Sequence, residues 1–107
     1  MVDALMVLTT MPDAASAERL ATRLLEAGLA ACVNIGPEML SLYEWEGELQ
    51  RGREVQLTIK TAATRYAELE EAISRSHPYD VPEILAVPVT NGLPAYLDWV
   101  KQCTSNC

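Results

Sequence analysis

The sequence predicts an α+β protein, a ferredoxin-like βαββαβ sandwich with a long hairpin between its second and third strands and a helix at its C-terminal end. Three observations carry this. Apolar residues switch between strand and helix periodicity in the order strand, helix, strand, strand, helix, strand. Right-handed crossovers then place both internal helices on one face of a single sheet. Residues 39–61 keep strand spacing on both sides of a glycine-containing turn. The length, 107 residues, is that of one domain with a core of its own, and no stretch resembles a linker.

Each element has its own signal. Residues 4–10 form a short apolar run with Val and Thr, ended by Met11-Pro12-Asp13, and predict a buried strand. Asp13 suits an N-cap, because its carboxylate can accept from a free first-turn N–H. Ala17, Leu20, Ala21 and Leu24 recur at helical spacing and Gly28 supplies the stop. Leu29, Ala31, Val33 and Ile35 then alternate as in a strand, which Gly36-Pro37 is expected to break. The chain resumes at Met39 and reaches Trp45, and the segment from Glu46 to Gly52, with its two glycines, turns it back. On the return arm Val55, Leu57 and Ile59 point one way, Glu54, Gln56, Thr58 and Lys60 the other.

A second helix, capped by Thr61 or Thr64, places Tyr66, Leu69 and Ile73 inward and ends before Pro78, since proline disfavours helical geometry in the residue preceding it. Residues 81–90 read as the last strand, with Pro82 and Pro88 marking an edge position or bulges. Pro94 fits the first turn of a terminal helix whose apolar side is Tyr96, Trp99 and Val100.

Composition narrows the function. Lys plus Arg number 8 against 15 Asp plus Glu, a net charge of −7, which repels phosphate backbones and argues against a nucleic-acid partner. With two Trp, four Tyr and no Phe, the core must rest on Leu, Val, Ile and Ala. No apolar run approaches the roughly 20 residues of a membrane span, and the first residues do not resemble a signal peptide. Cys32, Cys103 and Cys107 stand at no metal-finger or redox spacing. Cys32, in an apolar run, reads as a buried inert thiol, whereas Cys103 and Cys107 fall in a polar tail. A reducing, cytoplasmic setting is expected.

The hairpin carries a further expectation. Arms of about nine residues at about 3.3 Å each reach nearly 30 Å, against a radius of gyration of about 13 Å for a domain this long. Leu42, Tyr43, Trp45 and Leu49 sit at its far end. A long unpaired edge invites aggregation unless it is covered, so a homo-oligomer is expected.

Two segments are candidates for chemistry. Ser76-His-Pro-Tyr-Asp-Val-Pro-Glu-Ile84 holds the only His, a Tyr and two carboxylates. His77 reads either as the cation at a helix's negative end or as a metal ligand or a polar group of a pocket. In Ser41-Leu-Tyr-Glu-Trp-Glu-Gly47, with Lys60 on the return arm, Tyr43 and Trp45 fall on one strand face and Glu44 and Glu46 on the other, as an aromatic subunit contact flanked by solvated acids or as the walls and carboxylates of a pocket shared between subunits. There is no phosphate loop, GxSxG or HExxH motif, and no Cys pair at zinc spacing, so no enzyme is expected.

These blocks resemble the CutA family of divalent-cation tolerance proteins. The resemblance rests on Ser41-x-Tyr-x-Trp-Glu-Gly47, Lys60-Thr61, His77-Pro-Tyr79 with Pro82-Glu83, Leu29-Ala-Ala-Cys-Val33 and Leu8-Thr-Thr-Met-Pro-Asp13, in order, over residues 4–100. It implies a homotrimer with the hairpin between subunits, a cytosolic role in tolerance of divalent metals, copper above all, and no organic cofactor. Copper binding in the family has been associated with a Cys at the end of the first strand and a His pair before the Pro-Tyr. Here Thr9, and Ser76 with His77, stand at those places, leaving His77 as the candidate ligand for Cu2+ or another divalent cation. Tyr43, Trp45, Glu46, Lys60, Tyr79 and Glu83 are the candidates for a ligand-binding or intersubunit cleft. A second reading is a sensing module resembling the PII signalling family, whose trimers hold small anions between subunits.

Overall fold

A computed structural model describes residues 2–105. The elements run β1 (Ala4–Met11), α1 (Ala14–Glu26), β2 (Cys32–Trp45), β3 (Glu48–Ala62), a 3-10 turn (Ala63–Arg65), α2 (Tyr66–Ser76), β4 (Ile84–Val89) and α3 (Pro94–Cys103). The sheet order is β2-β3-β1-β4, with every neighbouring pair antiparallel. This is the ferredoxin-like arrangement, with the expected C-terminal helix.

Alternation along the central strands places the core. Val55, Leu57 and Ile59 of β3 are buried and lie opposite Met11, Thr9 and Val7 of β1. Beneath them pack Leu20, Ala21 and Leu24 of α1 and Leu69 and Ile73 of α2. Completely burying a Leu or Ile side chain contributes roughly 1.5–3 kcal/mol, and the large buried side chains of sheet and helices meet in this one layer. Asp13 caps α1, accepting from the Ser16 amide at 2.7 Å, and those hydrogen bonds hold its carboxyl below the usual range.

Several expectations need correction. Gly36-Pro37 does not end a strand: β2 runs through it, with a register shift between Ile35 and Glu38. The glycine suits a close approach, since a Cβ there would lie a tight 3.3 Å from the Gln56 carbonyl oxygen. The turn is tighter than expected, two residues only, Glu46 and Gly47, with φ of 53° and 81°. Positive φ at both positions is the geometry of a type I′ hairpin. Gly52 instead pairs with Ser41 inside the ladder.

Neither Thr61 nor Thr64 caps α2. The Thr61 hydroxyl donates to the Leu29 carbonyl at 2.8 Å, and the 3-10 turn holding Thr64 makes Arg65 the N-cap residue, with no side-chain cap. The last strand begins only at Ile84, beyond Pro82, and lies at the sheet edge. Cys32 is half-buried rather than sealed in the core, on the open sheet face opposite Lys60. Cys103 ends α3 and is exposed, while Cys107 lies outside the described residues. In α3 only Val100 is buried; Tyr96 and Trp99 keep much of their surface.

The hairpin is longer than the sequence suggests. Its arms hold 14 and 15 residues, and at about 3.3 Å per residue the shorter spans ~46 Å. That matches the long axis of a molecule measuring 45 × 26 × 23 Å.

Thr9 is fully buried and its hydroxyl has no partner among the described residues, although its Cα neighbours across the sheet are Leu57 and Ile84. An unmatched buried hydroxyl costs about 1–3 kcal/mol, and an apolar group of the same shape removes that cost. Thr9→Val is therefore expected to raise the unfolding free energy by about 1 kcal/mol, read as a higher urea midpoint at unchanged slope.

Candidate functional site

The alternation that buries Val55 sends Glu54 and Gln56 to the opposite face of the sheet. Past the bulge the same holds for β2, where Met39, Ser41, Tyr43 and Trp45 pair with Glu54, Gly52, Gln50 and Glu48. The segment joining α2 to β4 comes up against this face. Together they enclose an open cleft of about 680 Å³, lined among others by Thr10, Tyr43, Trp45, Glu54, Tyr79, Asp80 and Glu83. Tyr43, Trp45 and Tyr79 give it aromatic walls. Glu54, Asp80 and Glu83 give it three carboxylates, and its lining holds no Lys, Arg or His.

A polar chain fixes the segment in place. Pro78 forces His77 out of helical geometry, to φ −81° and ψ 139°. The Tyr79 amide then donates to His77 Nδ1 at 3.2 Å. Because Nδ1 accepts, the ring proton sits on Nε2, which donates to the Thr10 carbonyl at 2.7 Å. The Thr10 hydroxyl donates to Glu54 at 3.1 Å. The His77 and Tyr79 rings lie 4.7 Å apart. A helix end, an outer strand face and the base of the hairpin are thereby joined.

Of the residues singled out from sequence, Tyr43, Trp45, Tyr79 and Glu83 come together in the cleft. Glu46 is in the hairpin turn and outside the lining. Lys60 lies far along the ladder, opposite Cys32, where its ammonium donates to Asn34 Oδ1. His77 stands behind Tyr79 with both ring nitrogens engaged, so a cation could use it only by displacing one of those bonds. Thr9 faces the core, away from the cleft. Among the described residues no three His, Cys, Asp or Glu side chains converge as a metal site. Sequence reasoning missed Glu54, Thr10 and Asp80 as cleft residues. The alternation of β3 already placed Glu54 on the open face; its match to Tyr43 needed the register.

Burial, then the neighbouring Glu54 carboxylate by its charge and as an acceptor, pushes the Tyr79 phenol up to about 12, with Tyr43 and Asp13 adding to the effect. Folding thus favours the neutral phenol. Its contribution is complete below pH 10.0, the ordinary value, and is lost as pH rises toward about 12. Tyr79→Phe is expected to flatten the fall in stability over that window, as measured by urea unfolding at a series of pH values; equal falls in the two proteins would contradict this.

Comparison with known proteins places the chain. The family model for the CutA1 divalent ion tolerance protein matches residues 5–103. The divalent-cation tolerance protein CutA of Pectobacterium atrosepticum is 46% identical over 99 residues, 92% of this chain and 90% of that protein. A chloroplastic CutA protein of Arabidopsis thaliana is 42% identical over 105 residues, and the chain spans 58% of that relative's length. The crystal structure of CutA1 from the psychrotrophic bacterium Shewanella sp. SIB1 superposes with a TM-score of 0.95 at 41% identity, covering 98% of each chain. In its sequence blocks, its fold and nearly its whole length, the chain belongs to the CutA1 family of divalent ion tolerance proteins.

Proposed function

We propose that the protein acts as a homotrimer in tolerance of divalent cations, copper foremost, with the hairpin as the element between subunits and the acidic cleft as the place where a cation is held. The observation that carries the assembly is the far half of the hairpin. Leu40, Leu42, Tyr43, Trp45 and Leu49 are 48%, 57%, 49%, 50% and 74% exposed, a run of apolar side chains that a lone protomer leaves in water. The outer edge of β2 is unpaired as well, and a second copy relieves both exposures.

The cleft's charge favours a cation. Hard carboxylate oxygens suit divalent ions held loosely, while soft Cu(I) prefers thiolates. His77 remains the candidate nitrogen ligand, available once it releases the Tyr79 amide or the Thr10 carbonyl. The alternative, a small-anion-sensing module, has no base within this cleft, since Lys60 is elsewhere. A cytosolic setting is our reading of its location, supported by the unpaired Cys32 and Cys103 thiols.

Light scattering should give three times the chain mass of 11.8 kDa, and Leu42→Glu, which places a charge in the proposed contact, should shift that mass toward one chain. A monomeric wild type at micromolar concentration would contradict the assembly. Calorimetric titration with Cu2+ and Zn2+ should give saturable heat, weakened about tenfold by Glu83→Gln, with His77→Ala reporting any imidazole contribution. No heat with either ion would end the cation reading.

A further inference from the structure

A groove at the opposite end of β1 from the cleft has chemistry of its own. The chain leaves β3 at Ala62, passes through the 3-10 turn and enters α2, an 11-residue helix whose N-cap, Arg65, makes no side-chain capping bond. The 3-10 turn takes up two amides at this end, the Ala63 amide donating to the Asp3 carbonyl at 2.8 Å and the Tyr66 amide to the Ala63 carbonyl, and the end keeps the positive pole of the helix. Arg65 itself is unusual. It is 9% exposed, and its Nη1 donates to Glu68 at 2.6 Å. Its Nε is buried with no acceptor among the described residues. A guanidinium brings five N–H donors that match the oxygens of a carboxylate or phosphate, and a buried unmatched donor of this kind calls for a partner.

Arg65 and Thr64 line an open groove of about 620 Å³ together with Lys101 of α3, ample for a phosphate-sized ion. Two carboxylates also line it: Glu68, paired with Arg65, and Asp3, 3.6 Å from Lys101. Their side chains are 62% and 61% exposed, so both can turn into water when a better acceptor arrives, and such exposed pairs hold weakly.

We infer that this groove binds a small oxyanion, a phosphate or carboxylate group, between the Arg65 guanidinium and the Lys101 ammonium at the positive end of α2. The two carboxylates and the overall charge of −7 make the binding weak and salt-sensitive.

The test is a nuclear magnetic resonance titration of the intact protein with inorganic phosphate and, separately, acetate, with chloride at matched ionic strength as the reference. The expected result is a saturable shift of the Arg65 Nε–H resonance and of the amides of residues 63–67. Lys101→Gln should weaken it several-fold and Arg65→Lys about tenfold. Saturation by phosphate alone assigns the site to phosphoryl groups, and saturation by both assigns it to oxyanions generally. Shifts no larger than those from chloride would overturn the inference, as would an affinity for phosphate unchanged in Lys101→Gln, an exposed substitution that leaves the core intact.

Discussion

The β2–β3 ladder is longer than the core it covers, and the rest of the structure answers to that excess. Near its base the ladder is an ordinary half-buried sheet, with Val55, Leu57 and Ile59 on the helices. From Glu38 to Glu54 no residue is buried, yet backbone pairing continues to Trp45 and Glu48. Pairing satisfies the inner amides and carbonyls. It does nothing for the outer edge of β2 or for the apolar side chains along the far arms. Two strands without a packed face are marginal in water, so a hairpin of this length needs a second surface to lie on.

The cleft is a consequence of the same geometry. Because the hairpin projects past the Thr10 end of β1, the segment after α2 meets its open face and closes against it. Pro78 sets the exit angle, and His77 converts that angle into contacts with Thr10 and Tyr79. The imidazole thus acts as a brace, which is why the aromatic and acidic side chains converge in front of it while it does not line the cleft itself.

How far all this could be read in the sequence depended on whether a feature was local. The Asp13 cap, the period-two run through Val55, Leu57 and Ile59, and the helical exit before Pro78 are set by neighbours in the chain, and the structure has each of them. Gly36-Pro37 looked like a break because proline and glycine usually are one; that it is a bulge depends on the Gln56 carbonyl across the ladder. Glu46 and Lys60 stood with Tyr43 and Trp45 as cleft candidates; the tight turn takes Glu46 out of the lining, and register sets Lys60 opposite Cys32. Tyr79 and Glu83 were legible as candidates, but Glu54 and Thr10 needed the pairing of β1, β2 and β3 to be known. The burial of Arg65 had no local signal at all.

In the proposed assembly, further copies of the chain cover the outer edge of the hairpin and the apolar side chains on both faces of its far half. Amide hydrogen exchange, resolved by residue, tests it most directly. Half of the β2 amides beyond the bulge point away from β3 and, with β2 at the sheet edge, pair with no other strand among the described residues. In that assembly those between Met39 and Trp45 exchange slowly, with protection approaching that of the core strand β3, and the protection falls on dilution. Exchange as fast as that of exposed loop amides, at every protein concentration, would contradict it.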